Sequence, residues 1–343
     1  MPVIFIRDPR TTLAVDASSF TLRRSGRRIG RMPPSMMEQV IVAHGVEISR
    51  NALDRLASLG VPVTFLDASG RVQARLVAPW KPTPEVRIGQ VTAWINPDLR
   101  LRLARRWVDA KIANCQTLLN RFRSNHSDNT LTTIATELRK QRDALPQASD
   151  IASLLGMEGS AARLWFSALG HMILPQWIEF KGRNRRPPRD PANAALSYSY
   201  AVLSHQLHAA VDTVGLDPYI GCLHSIDNRR PGLVMDLLEP FRPALGDRLM
   251  LRLLNLGILK QDHFYQPDAP PNGVRINPEG REAVLRVLVD WMQVCDEELG
   301  AGKNLSAPGF LLQREAERYA RHAAAGTLQD FLPYHLDERE IRD

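Results

Sequence analysis

A chain of 343 residues is long for one core and points to about two folding units. With 44% hydrophobic and 24% charged residues it is neither disordered nor membrane-like. No stretch reaches the roughly 20 apolar residues that cross a bilayer, so the expected compartment is the cytoplasm. The formal charge of +7 favours polyanionic partners and gathers at the front, where residues 1–90 hold 13 Lys/Arg against 7 Asp/Glu.

The first 79 residues read as strands. Val3–Ile6, Leu13–Val15, Phe20–Leu22, Ile29–Met32, Val40–Val42 and Val46–Ile48 are short runs of β-formers, with Ser25-Gly26 where a turn is needed. Ser49 is placed to N-cap one short helix, Arg50 to Leu59, which Gly60 ends. Val61–Leu66 and Val72–Val77 complete the pattern, with Ser69-Gly70 between them. Pro79, Pro82 and Pro84 mark a linker over 80–95.

Beyond the linker the period becomes helical. Asn96-Pro97 forms an N-cap and first-turn pair, and Leu99, Leu103, Trp107, Ala110, Cys115, Leu118 and Phe122 then follow a helical spacing. A second helix is expected over Thr130–Ala144, stopped by Pro146, and others over 149–155, 158–173, 193–214, 231–255, 281–299 and 308–325. Pro240 and Pro243 must kink or split the one at 231–255. The fold class is therefore α+β in two domains. A small N-terminal β-rich domain (1–79) precedes a larger all-α domain (96–335), and a charged tail, 336–343, frays at the end. Cys115, Cys222 and Cys295 are scattered and form no Cys-x-x-Cys. They read as buried, inert thiols rather than a zinc site or a disulfide framework.

Three segments hold residues suited to chemistry. In Gly156-Met157-Glu158-Gly159 a glutamate stands at the expected opening of an Ala-rich helix, where it also reads as a first-turn residue favoured by the helix dipole. The turn-rich stretch Gly215–Cys222 leads to His224, which alone also reads as a satisfied structural histidine; Asp217, before Pro218, reads as a turn residue. Asp236 and Glu239 share a helix face among Leu233, Val234, Met235, Leu237 and Leu238. A carboxylate pressed into such surroundings needs a cation, an arginine or a raised pKa, and Arg242 and Arg163 are candidate partners. Carboxylates with one imidazole suit magnesium or manganese better than zinc, and the imidazole tilts the choice towards manganese. A cation held there would polarise a phosphate oxygen, so the chemistry points to phosphodiesters.

Between the ligand segments lies Lys181-Gly182-Arg183-Asn184-Arg185-Arg186-Pro187-Pro188-Arg189, five cations in nine residues with prolines that prevent a regular helix. It reads as a solvated loop or as a clamp on a phosphate backbone, and its place between the ligand segments favours the clamp. Arg100, Arg102, Arg105 and Arg106 form a second basic patch, equally compatible with solvation or DNA contact. Asn193 is placed to cap the helix that follows. Tyr198 and Tyr200 cannot share a face, so one of them packs inside.

Taken in order, Gly156–Arg163, Phe180–Tyr200, Gly215–His224 and Leu233–Pro243 resemble the CRISPR-associated integrase (Cas-one) family, the catalytic subunit of spacer acquisition. Gly60–Asp67 is similar to that family's closing strand, so the resemblance covers most of the chain. It implies a homodimer built on the β domains, with one metal site in each helical domain. By motif position the catalytic metal ligands fall on Glu158, His224 and Asp236, with Glu239 auxiliary, and the cofactor is Mg2+ or Mn2+. The implied reaction joins the 3′-hydroxyl of a short double-stranded DNA fragment, the prespacer, to a CRISPR repeat by transesterification. Lys181, Arg183, Arg185, Arg186 and Arg189 would hold the strand, and no covalent protein–DNA intermediate is expected. The implied partner is a small ferredoxin-like protein (Cas-two) in a heterohexamer, with no role for a membrane. Three alternatives share these residues: a stand-alone nuclease on branched DNA, a non-catalytic DNA-binding scaffold, and an enzyme that inserts mobile elements.

Overall fold

The computed structural model describes residues 3–16, 19–34, 37, 39–68, 72–76, 83–126, 128–184, 187–224, 230–268, 272–284, 286–287 and 308–337. They fall into a strand-rich unit built chiefly on residues 1–83 and a helical unit built chiefly on 84–211, 216–288 and 311–343.

The strand-rich unit holds two four-stranded sheets. In the first, β1 (Val3–Ile6), β5 (Gln39–Val42) and β7 (Val63–Leu66) run parallel, and β8 (Val72–Leu76) returns antiparallel beside β7. The second has the order β4 (Arg27–Met32), β3 (Ser19–Arg24), β2 (Thr11–Asp16), β6 (Glu47–Ile48). Ser25 and Gly26 join β3 to β4, both at positive φ (48° and 78°), the conformation that a two-residue hairpin turn requires. Helix α1 (Arg50–Ser58) starts where Ser49 Oγ accepts the Ala52 amide at 3.2 Å. One apolar cluster, with Ile6, Leu13, Phe20, Val40, Val42, Leu56 and Val63 at its centre, holds the unit together. Ser69 and Gly70 lie outside the described residues.

The helical unit begins earlier than the prolines suggested. Residues 80–82 lie outside the described residues, but Pro84–Ile95 is not linker: it forms helix α2. Pro84 is tolerated at the first helical position, where its missing N–H costs nothing. Gln90 of α2 is buried and donates to the Asp217 and Ile220 carbonyls at 2.7 and 2.9 Å. Helix α3 (Pro97–Asn125) is capped by Asn96, whose Oδ1 accepts the Leu99 amide at 3.0 Å. It buries Leu103, Trp107, Ala110, Cys115 and Leu118. Against it lie α4 (Asn129–Ala144) and α5 (Ile151–Met172). The two helices expected at 149–155 and 158–173 are one. A capping box between Asp150 and Ser153 starts α5 at Ile151, and the helix runs unbroken through Gly156 and Gly159.

Helix α6 (Pro191–Thr213) is capped by Asp190, not Asn193: Asp190 Oδ1 accepts the Asn193 amide at 2.8 Å. The prolines divide the next helix as expected. Helix α7 (Gly232–Leu238) gives way to a widened π-helical stretch, Arg242–Asp247, and then α8 (Arg248–Asn255). A two-residue pairing of β9 (Phe264–Tyr265) with β10 (Arg275–Ile276) follows. Helix α9 (Pro308–Ala324) comes last, and most of the helix expected at 281–299 lies outside the described residues. The frayed tail does not start at 336: Leu336 is buried and donates its amide to Asn114 Oδ1 at 2.7 Å. Residues 338–343 lie outside the described residues. No helix among the described residues is long and apolar enough to cross a membrane.

Candidate functional site

Two glycines bring the histidine loop against α7. A Cβ on Gly221 would stand 2.5 Å from the Gly232 carbonyl carbon and 2.8 Å from Asp236 Oδ2, and one on Gly232 would stand 2.9 Å from the Tyr219 carbonyl oxygen. Only hydrogen atoms fit at these two crossings. The approach delivers the loop's amides to one carboxylate. Asp236, fully buried, accepts from Cys222 N at 2.5 Å and Leu223 N at 2.9 Å on Oδ2, and from His224 N at 2.9 Å and His224 Nδ1 at 2.7 Å on Oδ1. Four accepted bonds use the full capacity of a carboxylate.

That saturation changes the role expected for Asp236. Its oxygens face the loop behind His224, so in this conformation it orients the imidazole instead of joining the acidic cluster. A carboxylate can only accept, which puts the proton on Nδ1 and leaves Nε2 facing forward. Burial opposes a charged imidazole here. The Asp236 hydrogen bond and charge, aided by Glu239, outweigh it and hold His224 above its ordinary pKa. The His224 side chain remains 31% exposed, so the site opens to solvent at this residue.

Glu239, treated as auxiliary in the sequence, stands at the centre. It follows α7 as its C-cap, and its Oε1 lies 3.9 Å from His224 Nε2. Arg242 Nε donates to Glu239 Oε1 at 2.9 Å, the ion pair foreseen as one way to offset a carboxylate in apolar surroundings. Burial disfavours the charge on Glu239, but Arg242 and Lys111 hold it well below the usual carboxylate range. Glu158, on the third turn of α5 and away from any helix entrance, reaches the same place and pairs with Lys111 Nζ. The same ammonium lies 2.6 Å from Glu239 Oε2. Arg163, the other candidate partner, instead donates to Ser160 Oγ at 3.0 Å.

Lys111 is the residue of this cluster that sequence reading missed, although a signal was present. It lies four positions from both Trp107 and Cys115, on the face of α3 that the apolar period assigns to the core. A lysine on such a face requires a counter-charge. Burial disfavours its ammonium, yet Glu239 and Glu158 hold its pKa above the ordinary lysine value. Among the described residues, no three His, Cys, Asp or Glu side chains converge as closely as ligands of a bound cation would. The Lys111 ammonium stands between Glu158 and Glu239 instead.

A second buried set lies behind this cluster. Asp247 accepts from Trp165 Nε1 at 2.7 Å and from the Tyr200 hydroxyl, and burial pushes its pKa up to about 6. Tyr200 is thus the inward tyrosine of the pair, and the Arg242 guanidinium lies 4.9 Å from its ring centroid.

The basic loop divides. Arg183 is tied into the fold: it donates to the Asn184 carbonyl, to Asn193 Oδ1 at 2.7 Å and to Ser197 Oγ at 3.0 Å. Lys181 and Arg189 are exposed, with Lys181 paired to Glu179 at 2.7 Å. Arg185 and Arg186 lie outside the described residues. In the patch on α3, Arg100, Arg105 and Arg106 bond the carbonyls of Cys222, Ala148 and Phe331 at 2.9, 2.9 and 2.7 Å, so they serve the fold; Arg102 is exposed. Asp217 does close a turn, accepting the Tyr219 amide at 2.8 Å. Cys115 and Cys222 are buried free thiols, and Cys295 lies outside the described residues.

Residues 4–289 match the family model described as CRISPR associated protein Cas1. The CRISPR-associated endonuclease Cas1 2 of Rhodospirillum rubrum is 31% identical over 96% of this chain and 97% of its own length. Among solved structures, a casposase bound to integration product superposes with a TM-score of 0.79 at 18% identity, covering 100% of this chain and 96% of that one. A chain of a partial Cas6-RT-Cas1–Cas2 complex does so with a TM-score of 0.72 at 21% identity, covering 97% and 98%. At these identities the structural likeness speaks for the fold.

Proposed function

The chain belongs to the CRISPR-associated Cas1 family, and from that premise we propose that it is a divalent-metal-dependent DNA endonuclease and integrase that inserts short DNA fragments into a CRISPR repeat. One observation carries the reading: a single cationic group is held between Glu158 and Glu239 in front of an imidazole whose Nε2 is aimed by Asp236. The donor set, two carboxylate oxygens and one imidazole nitrogen, fits Mg2+ or Mn2+. Glu158, His224 and Glu239 would hold the ion, with Asp236 as the group that positions His224. Once bound, the cation supplies Lewis-acid polarisation of the scissile phosphate.

The remaining chemistry belongs to the chain and its substrate. A fragment's 3′-hydroxyl oxygen forms a bond to the repeat phosphorus while the phosphorus–O3′ bond of the repeat breaks. The proton passes from the attacking to the departing hydroxyl, and one phosphodiester replaces another. Arg242, beside Glu239, keeps that carboxylate ionised for the ion. Exposed Lys181 and Arg189 contact the strand, as would Arg185 and Arg186. The relative's name, an endonuclease, and the likeness to a casposase on its product support a strand-cutting and strand-joining enzyme. The complex that contains Cas2 supports a small partner of that kind, around which homodimers of this chain would assemble as a heterohexamer.

A strand-transfer assay tests the reading. Labelled duplex with free 3′ ends is mixed with supercoiled repeat plasmid and Mn2+, with and without the partner. Wild type should give joined product, and both His224→Ala and Glu239→Gln should abolish it. Cutting without joining would favour the stand-alone nuclease, and DNA binding without either would favour the scaffold. Joining that survives both substitutions would sink the assignment of the site.

A further inference from the structure

We propose that Lys111 is a resident counter-cation of the acidic site: it holds Glu158 and Glu239 in register when no divalent ion is bound, and it competes with that ion for the same oxygens. This inference rests on the metal-site reading above and adds to it a residue that no ligand role requires.

The geometry supports competition more than a fixed structural pair. Lys111 comes from α3, Glu158 from α5 and Glu239 from the end of α7, so three elements meet at one ammonium. The three side chains are mostly buried, at 13%, 21% and 6% exposure, so each charge depends on the others for compensation. Little net charge remains without a metal. Lys111 and Arg242 offset Glu158 and Glu239, which leaves at most the one negative charge of Asp236 beside the His224 imidazole. Adding a divalent ion to this cluster leaves an excess of positive charge at short range, which low-dielectric surroundings do not screen. Arg242 cannot leave easily, since its guanidinium also lies 4.9 Å from the Tyr200 ring centroid. The Lys111 ammonium sits on a flexible four-carbon stem and is the cation that can withdraw. Glu239 Oε2, the oxygen it would release, lies 2.6 Å from that ammonium and has no other hydrogen-bond partner among the described residues. That oxygen is therefore ready for an incoming ion.

The expected consequence is a trade. With Lys111 present the metal-free protein is stable and binds metal weakly; without it the metal-free site repels itself and binds metal tightly. Full-length wild type, Lys111→Met, Lys111→Gln and Glu239→Gln are titrated with Mn2+, and free Mn2+ is read by electron paramagnetic resonance. Each protein is also melted in EDTA and in Mn2+. Both lysine variants should bind Mn2+ at least about tenfold more tightly than wild type, melt lower in EDTA and gain more from Mn2+. Glu239→Gln should lose the site. Equal or weaker Mn2+ binding by both lysine variants, with wild type binding normally, overturns the proposal and leaves the metal site standing. Failure of both variants to fold even in Mn2+ would make Lys111 purely structural and also overturns it. If no protein binds Mn2+ in a manner sensitive to Glu239, the metal-site reading itself falls.

Discussion

Replacing Asp236 by asparagine keeps the side-chain volume but exchanges one acceptor oxygen for an NH2 group. Oδ2 now serves the Cys222 and Leu223 amides at 2.5 and 2.9 Å, and Oδ1 serves the His224 amide and ring at 2.9 and 2.7 Å. With its oxygen kept towards Cys222 and Leu223, the new NH2 faces His224, whose ring can switch tautomer and accept at Nδ1 while its backbone amide loses its acceptor. A buried donor left unpaired costs about 1–3 kcal/mol, so about 2 kcal/mol of local destabilisation is expected. At ~1.4 kcal/mol per factor of ten, that opens the loop roughly thirtyfold more often. Hydrogen–deuterium exchange of the Cys222, Leu223 and His224 amides in EDTA reads this directly, since exchange follows local opening. We expect exchange faster by one to two orders of magnitude (~10–100-fold) in Asp236→Asn, with amides in the strand-rich unit unchanged. If Asp236 were chiefly a metal ligand, removing its charge from a metal-free site would slow exchange or leave it alone. Either of those results would refute the assignment of Asp236 as the group that aims His224.

Two further predictions follow from individual sites. Gly221→Ala puts a Cβ 2.5 Å from the backbone carbon of Gly232, which cannot yield, so a loss of about 2–3 kcal/mol is expected. Gly156→Ala, whose Cβ meets nothing within 4 Å, should instead gain roughly 1 kcal/mol from helix propensity, and denaturant unfolding of both variants checks the contrast. Burial, only partly offset by Arg318 and the Tyr334 amide, pushes Glu315 up to about 7, above its unfolded value. An acid raised in this way stabilises the fold fully below about pH 4.5 and loses that contribution as pH rises through about 7, an effect of at most roughly 3 kcal/mol. Melting curves of wild type and Glu315→Gln should therefore diverge across that window; parallel curves would contradict the assignment.

Most of the architecture was legible because it is written locally. Ser49, Asn96 and the Ser25-Gly26 turn each act within a few residues, and each stands where its chemistry predicts. The errors fall where local signals compete. Gly156 and Gly159 suggested a break, yet the helix that starts at the Asp150–Ser153 capping box runs on through both. Three prolines suggested a linker, yet Pro84 opens α2. In the site, chemistry and family resemblance, more than spacing, grouped Glu158, His224, Asp236 and Glu239, and the structure places Glu158 and Glu239 on one ammonium with His224 beside Glu239 and bonded to Asp236. Spacing did not divide the labour between Asp236 and Glu239, because both lie on one helical turn. Their roles are set by what faces each: the amides of the histidine loop for Asp236, and α3 with its Lys111 for Glu239. Nor could spacing distinguish arginines that bond backbone carbonyls, such as Arg100, Arg105 and Arg106, from those left in solvent.

Which side chains hold a divalent cation decides the chemistry of the site. Anomalous diffraction from crystals equilibrated with Mn2+ locates the ion without relying on activity. One peak within ligand distance of Glu158, His224 Nε2 and Glu239, with Asp236 still bonded to the His224 loop, is the result expected here. A peak bound through the Asp236 carboxylate, or none beside Glu239, would contradict it.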